Sequence, residues 1–212
     1  MMVDKITWFG QASVRIKTNG KTIYIDPYMI KNQDNADIVL ITHSHSDHLS
    51  ISDISKVVSD DTTFIAPQDC VQKIENKFNK TVIVLEPGQS TEIGQILIQA
   101  VPAYNVVKTQ FHSKEKKWVG YILTIDGKRI YHAGDTERIP EMKDYNPDIA
   151  MIPIGQTYTM DSVKQAADAA LDLNAEATIP IHYGIYEGTA ADAQKFKNIL
   201  AGKLKVIIKD HE

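Results

Sequence analysis

The 212-residue chain has a single cysteine, Cys70. An internal disulfide framework is thereby excluded, and a reducing compartment is the expected setting. Cys70 shares a helical pattern with Val71, Ile74 and Phe78, so it reads as a small buried residue. No histidine lies near it in sequence, which leaves a nucleophilic role little support. No apolar run is long enough to span a bilayer, and no charged-then-apolar leader opens the chain. A cytoplasmic protein without a membrane span is the expectation. Basic blocks are also missing. Lys and Arg total 23 against 27 Asp and Glu, a formal net charge of -4, so a phosphate-gripping nucleic-acid surface is not expected. The short run Lys114, Lys116, Lys117 reads as a solvated loop. No low-complexity linker and no sequence repeat divides the chain, so one domain over residues 1–212 is expected.

What is present is an ordinary globular composition, 43% apolar and 24% charged, which predicts an ordered fold. Short, β-rich segments open the chain at Ile6 to Phe9, Ser13 to Lys17 and Thr22 to Ile25, with Asn19-Gly20 as a hairpin signal between the last two. Asp37 to Thr42 is a more continuous apolar strand. Helices are expected over Ser50 to Val58 and from Pro67 to Phe78, with strands at Thr62 to Ala66 and Thr81 to Leu85. Further strands are expected at Gln95 to Val101, Trp118 to Ile125, Lys128 to His132, Asp148 to Ile154, Ala177 to Ile181 and Val206 to Ile208, with an Asp126-Gly127 turn. A helix after Asp161 would turn Val163, Ala166, Ala167, Ala170 and Leu171 to the core. A last helix, capped by Thr189, would bury Ala193, Phe196, Ile199 and Leu200 and stop at Gly202. Two sheets covered by helices would bury these faces.

The chemistry concentrates in Thr42-His43-Ser44-His45-Ser46-Asp47-His48, directly after an apolar strand. The chain has seven histidines, and His43, His45 and His48 fall in six consecutive residues beside Asp47. Imidazole and carboxylate at a strand end are the ligand types of Zn²⁺, Mn²⁺ and Fe²⁺. Other strand ends and loops offer partners: His132-Ala133-Gly134-Asp135-Thr136, Ile181-His182-Tyr183-Gly184, and His112 in Gln110-Phe111-His112-Ser113.

The H-x-H-x-D-H cluster, the later Gly134-Asp135-Thr136 and the strand-end His182 resemble the metallo-β-lactamase superfamily over essentially the whole chain. Ile25-Asp26-Pro27, Tyr131 to Thr136, Pro153-Ile154-Gly155 with Thr159-Met160, and Pro180 to Tyr183 are similar to its branch of ascorbate-6-phosphate lactonase-like and metal-dependent hydrolases. The resemblance implies an α+β fold, a four-layer αββα sandwich. It implies a hydrolase that uses a metal-activated water on a small-molecule ester, lactone or phosphodiester. One or two divalent ions are implied, Zn first, with Mn or Fe as alternatives. His43 and His45 with a third histidine would hold one ion, Asp47, His48 and His182 the other, and Asp135 would bridge them. Asp47 would also orient or deprotonate the water.

Relatives often carry the third histidine where this chain reads Val101-Pro102-Ala103-Tyr104-Asn105. His112 is the nearest candidate and is taken as that ligand; the alternative is a loop histidine at the surface. His132 is expected to be buried and hydrogen-bonded rather than ligating, and His211 solvated. Asp26 reads equally as an orienting carboxylate or a turn residue. Tyr104 and Gln156 are the leading substrate-facing candidates, ahead of Gln11, Asn105 and Tyr158. Competing readings are a di-iron redox protein, a nuclease and a catalytically weak binding protein on the same fold. The first lacks the glutamate that such relatives show at position 45, and the second lacks an RNA-gripping arm. Oligomeric state, including a homo-oligomer, is left open.

Overall fold

Short apolar strands ended by polar turns build two mixed sheets in this computed structural model, which describes residues 1–18, 20–31 and 34–212. The chain divides into two units, Met1–Glu86 with Asp210–Glu212, and Pro87–Lys209. Each unit contains one of the sheets.

In the first unit, β1 (Ile6–Gly10), β2 (Ser13–Thr18) and β3 (Lys21–Ile25) run antiparallel. Thr18 pairs with Lys21 across the turn, and Gly20 has φ +70°. Asn19, the first residue of the expected Asn-Gly turn, lies outside the described residues. The chain then adds β4 (Ile38–Leu40), β5 (Thr63–Ala66) and β6 (Val82–Val84) in parallel, giving the order β1-β2-β3-β4-β5-β6. The return connections are α1 (Ile51–Val57) and α2 (Gln68–Phe78). Their apolar faces, with Ile54, Val57, Cys70 and Ile74, pack on Phe9, Tyr24, Val39 and Phe64. Each large aliphatic or aromatic side chain so buried contributes about 1.5–3 kcal/mol. Burial also pushes the Cys70 thiol far above its ordinary value, consistent with an inert core residue.

The last residues of the chain return to this unit. His211 forms a parallel bridge to Trp8 in the edge strand β1, and the Glu212 N–H donates to the Trp8 carbonyl at 3.1 Å. His211 is exposed, as expected, with its ring edge-on to the Trp8 indole.

In the second unit, β7 (Ser90–Ile93), β8 (Ile96–Pro102), β9 (Val119–Ile125) and β10 (Lys128–His132) form an antiparallel meander. Next come β11 (Ile149–Pro153), β12 (Ala177–Ile181) and β13 (Lys205–Val206), each parallel to its neighbour. The sheet order is β13-β12-β11-β10-β9-β8-β7. The expected Asp126-Gly127 turn is present, with both residues at positive φ. Strand β7 was not expected, because its exposed or half-buried Ser-Thr-Glu-Ile sequence carries little apolar signal.

Helices α3 (Val163–Leu173) and α4 (Ala190–Ile199) are capped by the Ser162 and Thr189 hydroxyls, which accept from the Gln165 and Asp192 N–H groups. One residue of the expected α3 core is displaced: Leu171 is 38% exposed, whereas Leu173 is fully buried. The buried arc of α3 is turned toward Ala169 and Leu173, and Leu171 lies beyond its other edge. Among the described residues, no helix is long and apolar enough to cross a membrane.

Candidate metal centre

The first unit sets its candidate ligands at the carboxyl ends of parallel strands, the usual place for a site in such sheets. Strand β3 ends at Ile25, and Asp26 follows with φ +47°, a left-handed conformation that Asp tolerates better than most residues. The Asp26 carboxylate accepts from the Thr42 N–H at 2.8 Å and from the Thr42 hydroxyl at 2.6 Å. It also lies 2.7 Å from His48 Nδ1, and both side chains are fully buried. A carboxylate only accepts, so the His48 nitrogen facing it carries the proton and the Nε2 lone pair points the other way. The Thr42 hydroxyl has one proton, which Asp26 receives. Its oxygen therefore accepts from His43 Nδ1 at 3.0 Å, which likewise leaves the His43 Nε2 lone pair available. Asp26 is thus an orienting carboxylate.

The loop itself is closed by the His48 and Leu49 N–H groups, which both donate to the His45 carbonyl. His43 Nε2 and His45 Nδ1 are 3.0 Å apart, and His48 Nε2 is 3.6 Å from Asp47 Oδ2. Donors about 2.0–2.2 Å from one tetrahedral cation stand roughly 3.3–3.6 Å apart. The His48–Asp47 pair matches that spacing, the His43–His45 pair is a few tenths of an ångström closer, and both pairs have the donor chemistry of a divalent-ion site. His43 and His48 are buried, Asp47 is half-buried and His45 is exposed, which leaves one side of the loop open to solvent. Gln11 is buried with φ +45°, and its amide nitrogen is 3.4 Å from Asp47 Oδ2; its described contact is thus with a candidate ligand.

The second unit contributes three candidates from three loops. Asp135 follows β10, His182 follows β12, and His112 lies between β8 and β9; all three are buried. His112 Nε2 is 3.3 Å from Asp135 Oδ2, and His182 Nε2 is 3.1 Å from Asp135 Oδ1. One carboxylate thus presents each oxygen to a different imidazole. His112 is no surface histidine: the Trp118 ring stands edge-on to it, and its carbonyl accepts from the Asn105 N–H at 2.7 Å. His132 is buried, and its Nδ1 accepts from the Gly134 N–H, in line with the structural role expected of it.

Two buried glutamates give this half its shape, and neither was singled out in the sequence. Glu137 accepts from the Val106, Val107 and Lys108 N–H groups at 2.8, 2.7 and 3.1 Å, fixing the start of the loop that carries His112. Glu187 accepts from the Thr157 and Tyr158 N–H groups and the Thr159 hydroxyl, and lies 2.8 Å from His182 Nδ1. Burial acts to raise the Glu187 carboxyl, but His182 and the Tyr158 and Thr157 N–H groups outweigh it and hold the group below the ordinary carboxylate range. Glu187 stands in a polar loop with no periodic pattern, so nothing local marks it as buried. Glu137 directly follows the Gly-Asp-Thr motif, the one cue that could have found it.

Of the substrate-facing candidates, Tyr104 is 8% exposed and its hydroxyl donates to Glu141 at 3.0 Å, beside Lys114. Burial and the Glu141 carboxylate both raise this hydroxyl above its ordinary value, so it stays protonated at neutral pH. Gln156 is exposed, and its carbonyl accepts from Lys108 Nζ. Asn105 Nδ2 donates to the Lys108 and Tyr158 carbonyls, tying two loops together.

A family model described as a beta-lactamase superfamily domain matches residues 5–182. A UPF0173 metal-dependent hydrolase of Pyrococcus abyssi is 32% identical, covering 96% of this chain and 95% of the relative. The corresponding protein of Anoxybacillus flavithermus is 33% identical, with 96% of each chain covered. Among solved structures, a protein of Parabacteroides distasonis named as a metal-dependent hydrolase superposes with a TM-score of 0.86. It is 36% identical, with 98% and 93% of the two chains covered. Igni18, a metallo hydrolase of Ignicoccus hospitalis, gives a TM-score of 0.80 at 27% identity, with 97% and 94% covered. With the family model matched over residues 5–182 and relatives matched nearly end to end, the chain belongs to the metallo-β-lactamase superfamily, in its UPF0173 metal-dependent hydrolase branch.

Proposed function

We propose that the chain works as one domain with a binuclear centre and hydrolyses a small-molecule ester, lactone or phosphodiester. The observation that carries this reading is Asp135, whose two oxygens face His182 at 3.1 Å and His112 at 3.3 Å, the disposition of a bridging carboxylate. By the family pattern, His43, His45 and His112 would hold one ion and Asp47, His48 and His182 the other. The nitrogen and oxygen ligand set favours Zn²⁺, with Mn²⁺ and Fe²⁺ as alternatives. Bound divalent ions of this kind acidify a coordinated water and polarise the bond under attack.

The protein's own groups supply orientation and proton handling. Asp26 and Thr42 fix the rings of His48 and His43. Asp47, half-buried and beside the Gln11 amide, receives or steers the proton of the attacking water. A cytoplasmic setting agrees with the lone buried Cys70.

Metal analysis of purified protein, combined with a panel of lactones, phosphodiesters and thioesters, tests the reading. Two equivalents of metal and turnover on one class are expected, both lost in Asp135→Ala. Metal-free protein with no hydrolysis after Zn²⁺ or Mn²⁺ loading would reject it.

A further inference from the structure

We propose that Glu187 is a positioning residue that couples the orientation of His182 to the shape of the 156–160 loop. The inference rests on the reading of His182 as a metal ligand.

Four groups converge on this one carboxylate. Oε1 lies 2.8 Å from His182 Nδ1 and 2.9 Å from the Thr159 hydroxyl, and Oε2 accepts from the Thr157 and Tyr158 N–H groups at 2.6 and 2.7 Å. The side chain is fully buried. Its neighbours on the chain bring it back over His182: the Gly184 N–H donates to the carbonyls of Glu187 and Gly188, and His182 itself sits at φ +57°. Gly155 leaves the space it occupies, since a Cβ there would fall 1.9 Å from the Glu187 Cδ.

The chemistry requires a carboxylate. Four donors need at least two acceptor atoms, and a carboxylate is acceptor on both oxygens. Facing Nδ1 across 2.8 Å, it favours the tautomer protonated there, whose Nε2 lone pair would meet a cation held with Asp135. A glutamine has one acceptor oxygen. Either its NH₂ faces two backbone N–H groups, or it faces Nδ1 and forces the imidazole proton onto Nε2, where it blocks a metal.

The other side of the 156–160 loop is held from the segment that carries His112. Asn105 Nδ2 donates to the Tyr158 carbonyl at 2.7 Å, and Lys108 Nζ donates to the Met160 and Gln156 carbonyls at 2.7 and 3.2 Å. Glu187 therefore stands at the end of a hydrogen-bonded chain that joins one candidate ligand loop to the other.

Two measurements test this. In ¹⁵N-histidine spectra of the wild-type protein loaded with Zn²⁺, His182 should show a protonated Nδ1 and a metal-bound Nε2. A metal-bound Nδ1 would overturn the proposal. If the His182 resonances, assigned with His182→Gln, do not respond to Zn²⁺, the ligand reading itself falls. Titration of metal-free protein with Co²⁺, read by visible absorption, should show binding weakened about 10- to 100-fold in Glu187→Gln and in Gly155→Ala. Leu173→Ala, which destabilises the same unit away from the carboxylate, should bind Co²⁺ as wild type does. Wild-type affinity in a folded Glu187→Gln variant, or an equal loss in Leu173→Ala, would refute the coupling. Should the Glu187 and Gly155 variants fail to fold, the wild-type spectra decide.

Discussion

His48 Nδ1 lies 2.7 Å from Asp26 Oδ2, with both side chains sealed from solvent, so a residue of the cluster is aimed by a carboxylate 22 positions earlier. Replacing Asp26 by Asn keeps a residue type that accepts φ +47° but loses the two-oxygen acceptor. Metal affinity should fall about 10- to 100-fold. The metal-free protein should lose about 1–3 kcal/mol, because the buried Thr42 and His48 groups are left imperfectly paired. Competition with a chromophoric chelator and urea unfolding measure the two effects; unchanged affinity would mean that the loop backbone alone aims the ring.

Removal of the metal should lower the melting temperature, since a ligand held at about 1,000 times its Kd adds about 4 kcal/mol to the folded state. His112→Ala should remove part of that gain and reduce hydrolysis by more than the roughly 100-fold expected for loss of an orienting partner. Thermal melts with and without chelator, alongside metal content, check it. Full metal content and activity in His112→Ala would take this residue out of the site.

Asp53 makes a pH prediction away from the ligands. It accepts from the Ile30 N–H, the Ser50 hydroxyl and Lys56 Nζ. Burial raises its carboxyl, but Lys56, Ser50 and the Ile30 N–H outweigh that and hold it below the ordinary value. The unfolded value is near 3.9, so the stabilisation is fully present above about pH 5 and is lost as pH falls through the lower folded value. Asp53→Asn should cost about 1–3 kcal/mol at pH 7 and much less near pH 3. Urea midpoints at the two pH values measure this; a difference that does not shrink in acid contradicts it.

Gly120 in β9 has no room for a methyl group. A Cβ would lie 2.7 Å from the His132 carbonyl oxygen and 2.8 Å from that of Ala133. These are backbone atoms of the segment leading to Asp135, so they cannot step aside cheaply. Gly120→Ala should destabilise by about 1–3 kcal/mol or more, read from urea unfolding; a loss below about 0.5 kcal/mol would show that the strands separate freely.

The two leucines near the end of α3 should separate cleanly. Leu173→Ala should cost about 2–5 kcal/mol, and Leu171→Ala should stay within about 0.5 kcal/mol. Equal costs in chemical denaturation would contradict the burial assigned to each.

Much of this architecture was legible beforehand for identifiable reasons. β12, Ala177–Ile181, matches its expected limits, because a buried parallel strand is apolar throughout. α2 begins after Pro67, whose ring fixes φ at a value suited to a helix start, and α4 after Thr189, whose hydroxyl caps it. Strand β7 stayed hidden because an edge strand needs little apolar content, and Leu171 misled because periodicity gives a helix's stripe but not its width. Within the candidate site, His43, His45, Asp47 and His48 announce themselves by proximity, and Asp135 and His182 by motif. Glu137 and Glu187 do not, because their burial is set by backbone N–H groups 29 to 31 residues away.

The bridge between Trp8 and His211 makes the order of synthesis matter. Strand β1 is the outer strand of its sheet, and its free side gains the backbone partners at 211 and 212 only after the intervening unit has been made. While the nascent chain emerges, that side is an open strand edge, the kind of surface that recruits other chains. Residues 211 and 212 therefore act as a late seal, and their removal would fall on the edge of the first sheet.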